Sequence, residues 1–177
     1  LWPSGWMTEA GRPGASWRVS EPPAPGWILA SGDLPDINVW LALAVREHPF
    51  HAAARAYWQE ARAQDTRLWF CRTTMLGLVR LLCQPKVVGK GALALPQALR
   101  LYRQWSEVPD IGLLPEPPDA DKLLDRFAAT TKPPLPARLW TDAWLAATAE
   151  AAGLRLVTFD ADFARFGLTR HLLLKKR

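Results

Sequence analysis

The chain has 177 residues and a mass of 19.8 kDa, which fits one domain of common size with a short appendage. Apolar residues make up 49% and charged residues 22% of the sequence, and these ordinary values exclude a wholly disordered chain. No segment approaches the ~18 uninterrupted apolar residues of a membrane-spanning helix. The first 30 residues also lack the basic-then-apolar order of a signal peptide, so we expect a soluble protein that does not contact a membrane.

The net charge of +5 comes from the C-terminal end of the chain. Five of the 22 Lys and Arg residues lie within the last thirteen positions, which contain no acid, and the other 17 equal the 17 acidic residues in number. A basic tail attracts polyanions such as RNA by releasing counterions, although such tails also serve simply as solubilising ends. The charge alone therefore favours a nucleic-acid partner only slightly.

The two cysteines, Cys71 and Cys83, lie among apolar residues and outside any metal-ligand spacing. Cysteines in such surroundings are typical of buried free thiols. They favour a reducing, cytoplasmic setting.

Residues 1–27 differ from the rest of the chain, because they are rich in Pro and Trp and have no hydrophobic periodicity. We expect an irregular extension there and a folded domain over 28–177 that ends in the basic tail. Within the domain, short apolar runs predict strands up to Pro35 and at 68–71, 111–114, 154–159 and, at an edge, 171–174. Between them the sequence predicts helices at 39–45, 51–63, 73–82, 96–107, 118–130 and 141–152, with loops at 84–95 and 132–136.

This alternation of short strands and helices predicts an α/β fold, in which helices cover both faces of a mostly parallel sheet. The functional sites of such sheets lie at the carboxyl ends of the strands. Acidic residues occupy these positions here, since Asp36 follows the first strand and Asp160 and Asp162 follow the strand at 154–159. Asp142 lies in the first turn of the preceding helix, from where it can reach the same edge.

Three or four carboxylates crowded at one edge repel one another, which raises their pKa values or requires a cation. The cation that suits carboxylates and a phosphate substrate is Mg²⁺ or Mn²⁺, which keeps several water ligands and can acidify one of them. The alternative is structural, because Asp is a preferred N-cap residue and Asp36, Asp142 and Asp160 all stand where a helix can begin. The spacing of the residues leaves both interpretations open.

Five segments of the chain resemble, in order, the sequence of a VapC-type PIN domain. They are LPDINVWLALA at 34–44, RTT at 72–74, LPEP at 114–117, WTDAWLA at 140–146 and LVTFDADF at 156–163. The resemblance implies a PIN-like three-layer α/β/α sandwich with Mg²⁺- or Mn²⁺-dependent endoribonuclease activity. It also implies the toxin of a toxin–antitoxin pair, which forms a homodimer and is inhibited by a small VapB-like antitoxin protein.

The resemblance assigns roles to the acids at the carboxyl edge. Three of them match family acids and are the expected catalytic residues and metal ligands: Asp36, Asp142 and Asp160. Asp162 matches a neighbouring acid that would assist with the metal, and the expected supporting residues are Asn38 and Thr158.

The second family acid, usually a Glu, falls at Gly77 in this chain. One carboxylate of the pattern is thus missing, and Glu116 after the third strand is a candidate to supply it. An ordinary exposed loop residue is the alternative interpretation of Glu116. The departure at Gly77 leaves open a second function, that of a PIN scaffold that binds RNA or protein with impaired catalysis.

An acidic centre needs cations nearby to hold RNA, and the candidates for phosphate contacts are Arg72, Arg80, Arg138 and Arg165. Each of them could equally lie on an ordinary solvated surface. The chain also has ten Trp residues, whose rings can stack on unpaired bases. Trp140 and Trp144, however, have the four-residue spacing of one helix face, which is more typical of core residues.

Overall fold

A computed structural model of the chain describes residues 31–175, so the extension expected at 1–27 and the last two residues lie outside the described range. The five strands are Asp33–Pro35 (β1), Leu68–Phe70 (β2), Ile111–Leu113 (β3), Arg155–Thr158 (β4) and His171–Leu173 (β5). The helices are Ile37–Ala44 (α1), His51–Ala63 (α2), Arg72–Leu82 (α3), Pro85–Val88 (α4), Leu95–Ser106 (α5), Ala120–Thr130 (α6) and Trp140–Ala152 (α7). None of these helices is long and apolar enough to cross a membrane.

The five strands form one sheet in the order β3-β2-β1-β4-β5, and every neighbouring pair is parallel. Successive side chains of a strand point to opposite faces of the sheet. Helices cover both faces, so the side chains on each face are buried in a core of their own. In β4, for example, Leu156 packs into a core with α6 and α7, while Val157 packs into a second core with α1, α2, α3 and α5. The predicted α/β/α sandwich is therefore confirmed, and its described sheet is entirely parallel.

Helix α7 lies against the centre of the sheet and positions its first turn at the carboxyl edge. Its sequence is rich in Ala, the strongest helix former, and small side chains allow a helix and a sheet to approach closely. Five of these alanines are buried: Ala143, Ala146, Ala147, Ala149 and Ala152. The helix ends at Gly153, whose φ of 69° is the left-handed conformation that Gly adopts readily, and the chain then enters β4.

Two predictions about local structure are wrong. The segment 84–95, predicted as a loop, contains α4 and a single 3₁₀ turn at Gly89–Gly91. Pro85 starts this short helix at the first helical position, where its missing N–H has no intrahelical partner to lose. Cys71 is a buried free thiol as predicted, whereas Cys83 is only half-buried because it lies at the C-terminal end of α3.

Candidate functional site

Two of the predicted acids follow adjacent strands at the carboxyl edge of the sheet. β1 pairs with β4 over their whole length, with Pro35 opposite Val157. The backbone N–H of Asp36 donates to the Val157 carbonyl oxygen at 2.8 Å, which continues this pairing by one residue. Asp160 follows two residues after the end of β4. Asp142 enters from the third position of α7, so the three acids come from three different elements.

The Asp36 carboxylate is held in place by a network of hydrogen bonds. Only 7% of the residue is exposed. Its Oδ1 accepts from the backbone N–H of Ile37 at 2.6 Å, and its Oδ2 accepts from Asn38 Nδ2 at 2.6 Å and from Thr158 Oγ1 at 2.8 Å. The backbone N–H of Phe159 donates to Asn38 Oδ1 at 3.2 Å, which fixes the amide in turn. Asn38 and Thr158, the predicted supporting residues, thus both donate hydrogen bonds to the Asp36 carboxylate.

Thr158 connects the two carboxylates that follow β1 and β4. While its hydroxyl donates to Asp36, the same oxygen accepts from Asn38 Nδ2 at 2.9 Å and from the backbone N–H of Asp160 at 3.0 Å. The hydroxyl therefore uses its one donor and both of its acceptor positions. A single side chain at the end of β4 sets the orientation of Asp36 and of the turn that carries Asp160.

The electrostatics of the site disfavour its own negative charges. The pKa of Asp36 is raised to about 6, mainly because the group is buried. Hydrogen bonds from Thr158 and Ile37 lower this pKa, and the nearby charges of Asp142 and Asp160 add to the rise. The pKa of Asp142 is also raised, first by burial and then by the charges of Asp160 and Asp162. These carboxylates are therefore close enough to repel one another.

Two guanidinium groups within residues 31–175 approach the acids, both beside Asp162. Arg165 lies 3.4 Å from Asp162 Oδ1, and its Nε also donates to the Asp162 backbone carbonyl at 3.1 Å. Arg138 lies 4.0 Å from Asp162 Oδ2, and its side chain is 70% exposed. Both guanidinium groups lower the pKa of Asp142, which shows that their charge reaches the acidic centre.

The structural interpretation of the acids is correct for two of them. Asp36 caps α1, and Asp160 caps the 3₁₀ turn at Ala161–Phe166 by accepting from the Asp162 backbone N–H at 2.8 Å. Asp142 is no cap, since it lies inside the first turn of α7. Capping explains why Asp36 and Asp160 suit their positions in the chain, but it does not explain why three acids gather at one edge.

The donor set suits a hard divalent cation. Carboxylate oxygens are the ligands that Mg²⁺ and Mn²⁺ prefer, and a cation would relieve the repulsion that raises the pKa values of Asp36 and Asp142. Among residues 31–175, no three His, Cys, Asp or Glu side chains lie close enough together to hold a metal ion between them. Mg²⁺ does not need three such ligands, because it usually binds one or two carboxylates and takes its other ligands from water and substrate phosphate. The residues therefore fit such an ion.

The missing family acid has a local explanation in the packing of α3 against α1. A Cβ atom added at Gly77 would lie 2.5 Å from Cδ1 of Ile37, so a longer residue requires Ile37 to move. Ile37, directly after Asp36, thus fills the space beside Gly77 with an apolar side chain. Glu116 is exposed in the loop after β3, and it makes no hydrogen bond or ion pair with another residue of the described range.

The candidate RNA-binding arginines separate into three groups. Arg138 and Arg165 lie beside the acids, as described above. Arg72 is the first residue of α3 and lines a cavity of about 550 Å³ together with Glu116. Arg80 lies two helical turns further along α3, away from the carboxyl edge, so the structure does not bring it together with the other three.

The prediction that Trp140 and Trp144 both belong to the core is wrong for Trp140. Trp140 starts α7 and remains 54% exposed. Trp144 packs against the core as predicted, but it is only half-buried and also lines the cavity that Arg72 and Glu116 share. Helical spacing places both rings on one face of α7 but does not tell how far the core extends along it.

Comparison with known proteins identifies relatives over most of the chain. Residues 34–168 match the PIN domain. Ribonuclease VapC41 of Mycobacterium tuberculosis is 36% identical over 144 residues, which cover 80% of this chain and 97% of that protein. Ribonuclease VapC33 of the same organism is 29% identical over 137 residues, which cover 75% of this chain and 91% of that protein.

Solved structures share the fold at lower identity. Mycobacterium tuberculosis VapC20, a Sarcin-Ricin loop cleaving toxin, superposes with a TM-score of 0.54 and 17% identity, over 78% of this chain and 97% of its own. FitAcB from Neisseria gonorrhoeae superposes with a TM-score of 0.51 and 23% identity, over 78% of this chain and 95% of its own. These structures support the α/β/α architecture independently of the sequence motifs.

Proposed function

The chain belongs to the PIN-domain family, and from this premise we propose that it is a metal-dependent endoribonuclease, the toxin of a toxin–antitoxin pair. The observation that carries the proposal is the gathering of Asp36, Asp142 and Asp160 at the carboxyl edge of the sheet, where burial and, to a smaller extent, the charges of the other two acids raise the pKa of Asp36. Charges that a protein leaves unneutralised in this way are typical of active sites. Two relatives named ribonucleases support RNA as the substrate.

Asp36, Asp142 and Asp160 would be the ligands of a Mg²⁺ or Mn²⁺ ion, one or two of them binding it directly and the rest through water molecules. Asp162 would assist directly or through a water molecule. An ion bound there supplies a water of lowered pKa and shields the charge that develops on the phosphodiester. The role of the chain is to keep these carboxylates ionised and oriented at neutral pH.

Asn38 and Thr158 are positioning residues in this mechanism. Their hydrogen bonds to Oδ2 of Asp36 fix the direction of the carboxylate, and the Thr158 bond also lowers its pKa toward the ionised form. Because the Thr158 hydroxyl also accepts from the Asp160 backbone, a change at this residue would move two candidate ligands together.

Arg138 and Arg165 would neutralise the phosphates of the bound RNA. Both approach Asp162 from the solvent side of the acidic centre, and the exposed Arg138 has room to exchange its 4.0 Å contact for a phosphate oxygen. Guanidinium groups suit this role because they bind phosphate through two parallel hydrogen bonds. The basic C-terminal residues would add long-range attraction for the same polyanion.

The proposal covers residues 28–177 as the nuclease domain, with 1–27 as an appendage. It also includes a homodimer and inhibition by a small VapB-like antitoxin protein, as the family resemblance implies. Sedimentation of the purified chain, alone and with the product of a neighbouring gene, measures both associations. A chain that stays monomeric and cleaves RNA equally well with that protein present would contradict this part of the proposal.

Cleavage of a mixed pool of structured RNAs tests the central claim. We expect cleavage in Mg²⁺ or Mn²⁺, none in EDTA, and a loss of at least about a thousandfold in Asp36→Asn and Asp160→Asn, equivalent to about 4 kcal/mol of transition-state stabilisation. Asp125→Asn is the matched control, because it removes the same charge from an exposed position on α6.

Retained metal-dependent cleavage in the Asp36→Asn, Asp160→Asn double variant would exclude these residues as the catalytic centre. A folded wild-type chain that cleaves no RNA under any of these conditions would instead favour the binding-module alternative, with Gly77 as the position where catalysis was lost. Circular dichroism of each purified variant shows whether the fold is retained.

A further inference from the structure

A cavity of about 550 Å³ lies between the segments that follow β2 and β3 and the side of α7. It is at the same carboxyl edge of the sheet as Asp36 and Asp160, and Trp144 in its wall belongs to α7, the helix that carries Asp142 in its first turn. We propose that this cavity binds a base of the RNA next to the bond that is cleaved and that it selects guanine. The proposal rests on the function proposed above, because it takes RNA as the ligand.

The size and position of the cavity suit one nucleoside. Small-molecule sites commonly enclose 300–1,000 Å³, and in parallel α/β sheets they lie beyond the carboxyl ends of the strands. This cavity meets both conditions, and its walls combine one aromatic ring, one cation, one carboxylate and two hydroxyl groups. These walls include Trp144, Arg72, Glu116, Thr73 and Thr148.

The aromatic ring offers a stacking surface for the base. Trp144 is anchored by its packing against the core, so its position is fixed before RNA binds. Trp140 lies four residues earlier on the same face of α7 and is 54% exposed. Trp144 lies in the wall of the cavity and Trp140 lies one helical turn away from it, outside the lining. Exposed aromatic rings of this kind can stack on unpaired bases of any type.

Glu116 gives the cavity its preference for one base. Its carboxylate is exposed and makes no hydrogen bond or ion pair with another residue between 31 and 175, so both oxygens are free to accept. Guanine is the only common base whose Watson–Crick edge presents two adjacent N–H donors, on N1 and N2, which match two carboxylate oxygens. Adenine and cytosine present a single amino group there, and uracil presents one N–H between two carbonyl groups.

Arg72 would hold the phosphate attached to this nucleoside. It lines the same cavity but is not close enough to Glu116 to form an ion pair with it. The guanidinium and the carboxylate are therefore both available, one for the backbone and one for the base. A contact to phosphate adds affinity for every sequence, whereas the contact from Glu116 distinguishes one base from another.

Binding of short RNAs to the full-length chain tests the proposal. Fluorescence anisotropy in Mg²⁺ would use the Asp160→Asn variant, so that the RNA stays intact, with labelled UUGUU, UUIUU and UUAUU, where I is inosine. Inosine lacks the 2-amino group of guanine and so loses one of the two donors. We expect UUGUU to bind about tenfold more tightly than UUIUU or UUAUU.

Added substitutions identify the residues responsible. Glu116→Gln should reduce the preference for guanine to about twofold or less, while Glu107→Gln, an exposed Glu at the end of α5, should leave it unchanged. Arg72→Ala should weaken all three RNAs equally, with Arg100→Ala on α5 as its charge-matched control. Trp144→Phe should retain most of the affinity, because it keeps an aromatic ring in the wall.

The proposal would be overturned if the Asp160→Asn protein showed no preference for guanine. It would also be overturned if the preference survived the added Glu116→Gln substitution. Glu116 is exposed, so the Gln variant should fold even if a Trp144 variant does not. Cleavage by the wild-type chain is measured separately. Guanine selectivity without cleavage would support the guanine site and contradict the proposed nuclease function. Cleavage without guanine selectivity would support the nuclease function and contradict the guanine site.

Discussion

A buried aspartate lies at each end of β1, and the fold treats the two in opposite ways. Asp33 is 1% exposed and fully paired, since Arg155 donates to both carboxylate oxygens at 2.8 and 2.7 Å and the Tyr57 hydroxyl donates at 2.8 Å. Asp36 is 7% exposed and receives hydrogen bonds from neutral donors only, while further carboxylates lie close to it. Only two residues separate them in the sequence.

The two carboxylates differ in whether the fold neutralises their charge. Asp33 is paired with a cation, whereas Asp36 has a raised pKa. Removing a buried charge from water costs several kcal/mol, and a bidentate guanidinium offsets much of this cost at Asp33. At Asp36 the cost is offset only in part, and the raised pKa measures what remains. Carboxylates with such perturbed pKa values are typical of functional sites, and the proposed role of this one is to bind a cation.

The largest effect on stability should come from Asp33→Asn. This change leaves Arg155 without its charged partner, and breaking a buried pair in this way typically costs about 3 to 5 kcal/mol of unfolding free energy. Asp36→Asn leaves no cation unpaired and removes a carboxylate that its surroundings disfavour, so we expect its unfolding free energy to stay within about 1 kcal/mol of wild type at neutral pH. Urea unfolding followed by circular dichroism measures both values.

The two substitutions should have the reverse effects on catalysis. At a temperature where Asp33→Asn remains folded, its RNA cleavage per folded molecule should equal that of wild type, whereas Asp36→Asn should be inactive. Equal losses of stability in the two variants would show that the fold does not distinguish the two ends of β1.

The sequence locates the acids at the carboxyl edge, but it does not reveal the long-range contacts that hold the other end of β1. Acids that follow apolar strands are visible as a pattern, because parallel strands bring their carboxyl ends to one edge. The pair between Asp33 and Arg155 is not visible, since the residues are 122 positions apart and nothing local marks them as partners. Trp140 and Trp144 share one helical spacing yet differ in exposure, because only the packed fold shows where the core ends.

The pH dependence of stability should reveal the cost of ionising the buried Asp36 carboxylate. The pKa of Asp36 is about 6 in the folded chain, compared with an ordinary value of 3.8 that applies to the unfolded chain. Between pH 3.8 and pH 6 the unfolded chain therefore releases a proton that the folded chain keeps. The stabilisation linked to this proton is fully present below pH 3.8 and is lost as the pH rises through 6, by about 3 kcal/mol at most.

Asp36→Asn lacks this titration and is the control for it. In EDTA, wild type should lose up to about 3 kcal/mol of unfolding free energy between pH 4 and pH 7 that the variant does not lose. The variant should therefore gain stability relative to wild type over this range. Addition of Mg²⁺ at pH 7 should stabilise wild type by mass action, by about 2.7 kcal/mol at a hundred times its dissociation constant, and should not stabilise the variant. Parallel pH profiles for the two proteins would mean that Asp36 ionises normally in the fold.

A smaller loss of stability than that of Asp33→Asn should come from Thr158→Val, which keeps the shape of the side chain and removes the hydroxyl that donates to Asp36. We expect a loss of about 1 to 2 kcal/mol at pH 7.5, because a buried carboxylate loses one of its three donors. The loss should be smaller at pH 5, where the higher pKa of Asp36 leaves the group mostly protonated and less dependent on a donor.

Without the Thr158 bond the pKa of Asp36 should rise further, and the acidic limb of the cleavage rate should move to higher pH. Thr131→Val, at a buried Thr that ends α6, is the matched control and should leave this limb in place. A Thr158→Val variant that loses the same stability at both pH values and keeps the wild-type rate profile would show that the hydroxyl only fills space. A pH-dependent loss would show instead that β4 holds the Asp36 carboxylate ready for a cation, as Arg155 at the other end of the same strand neutralises Asp33.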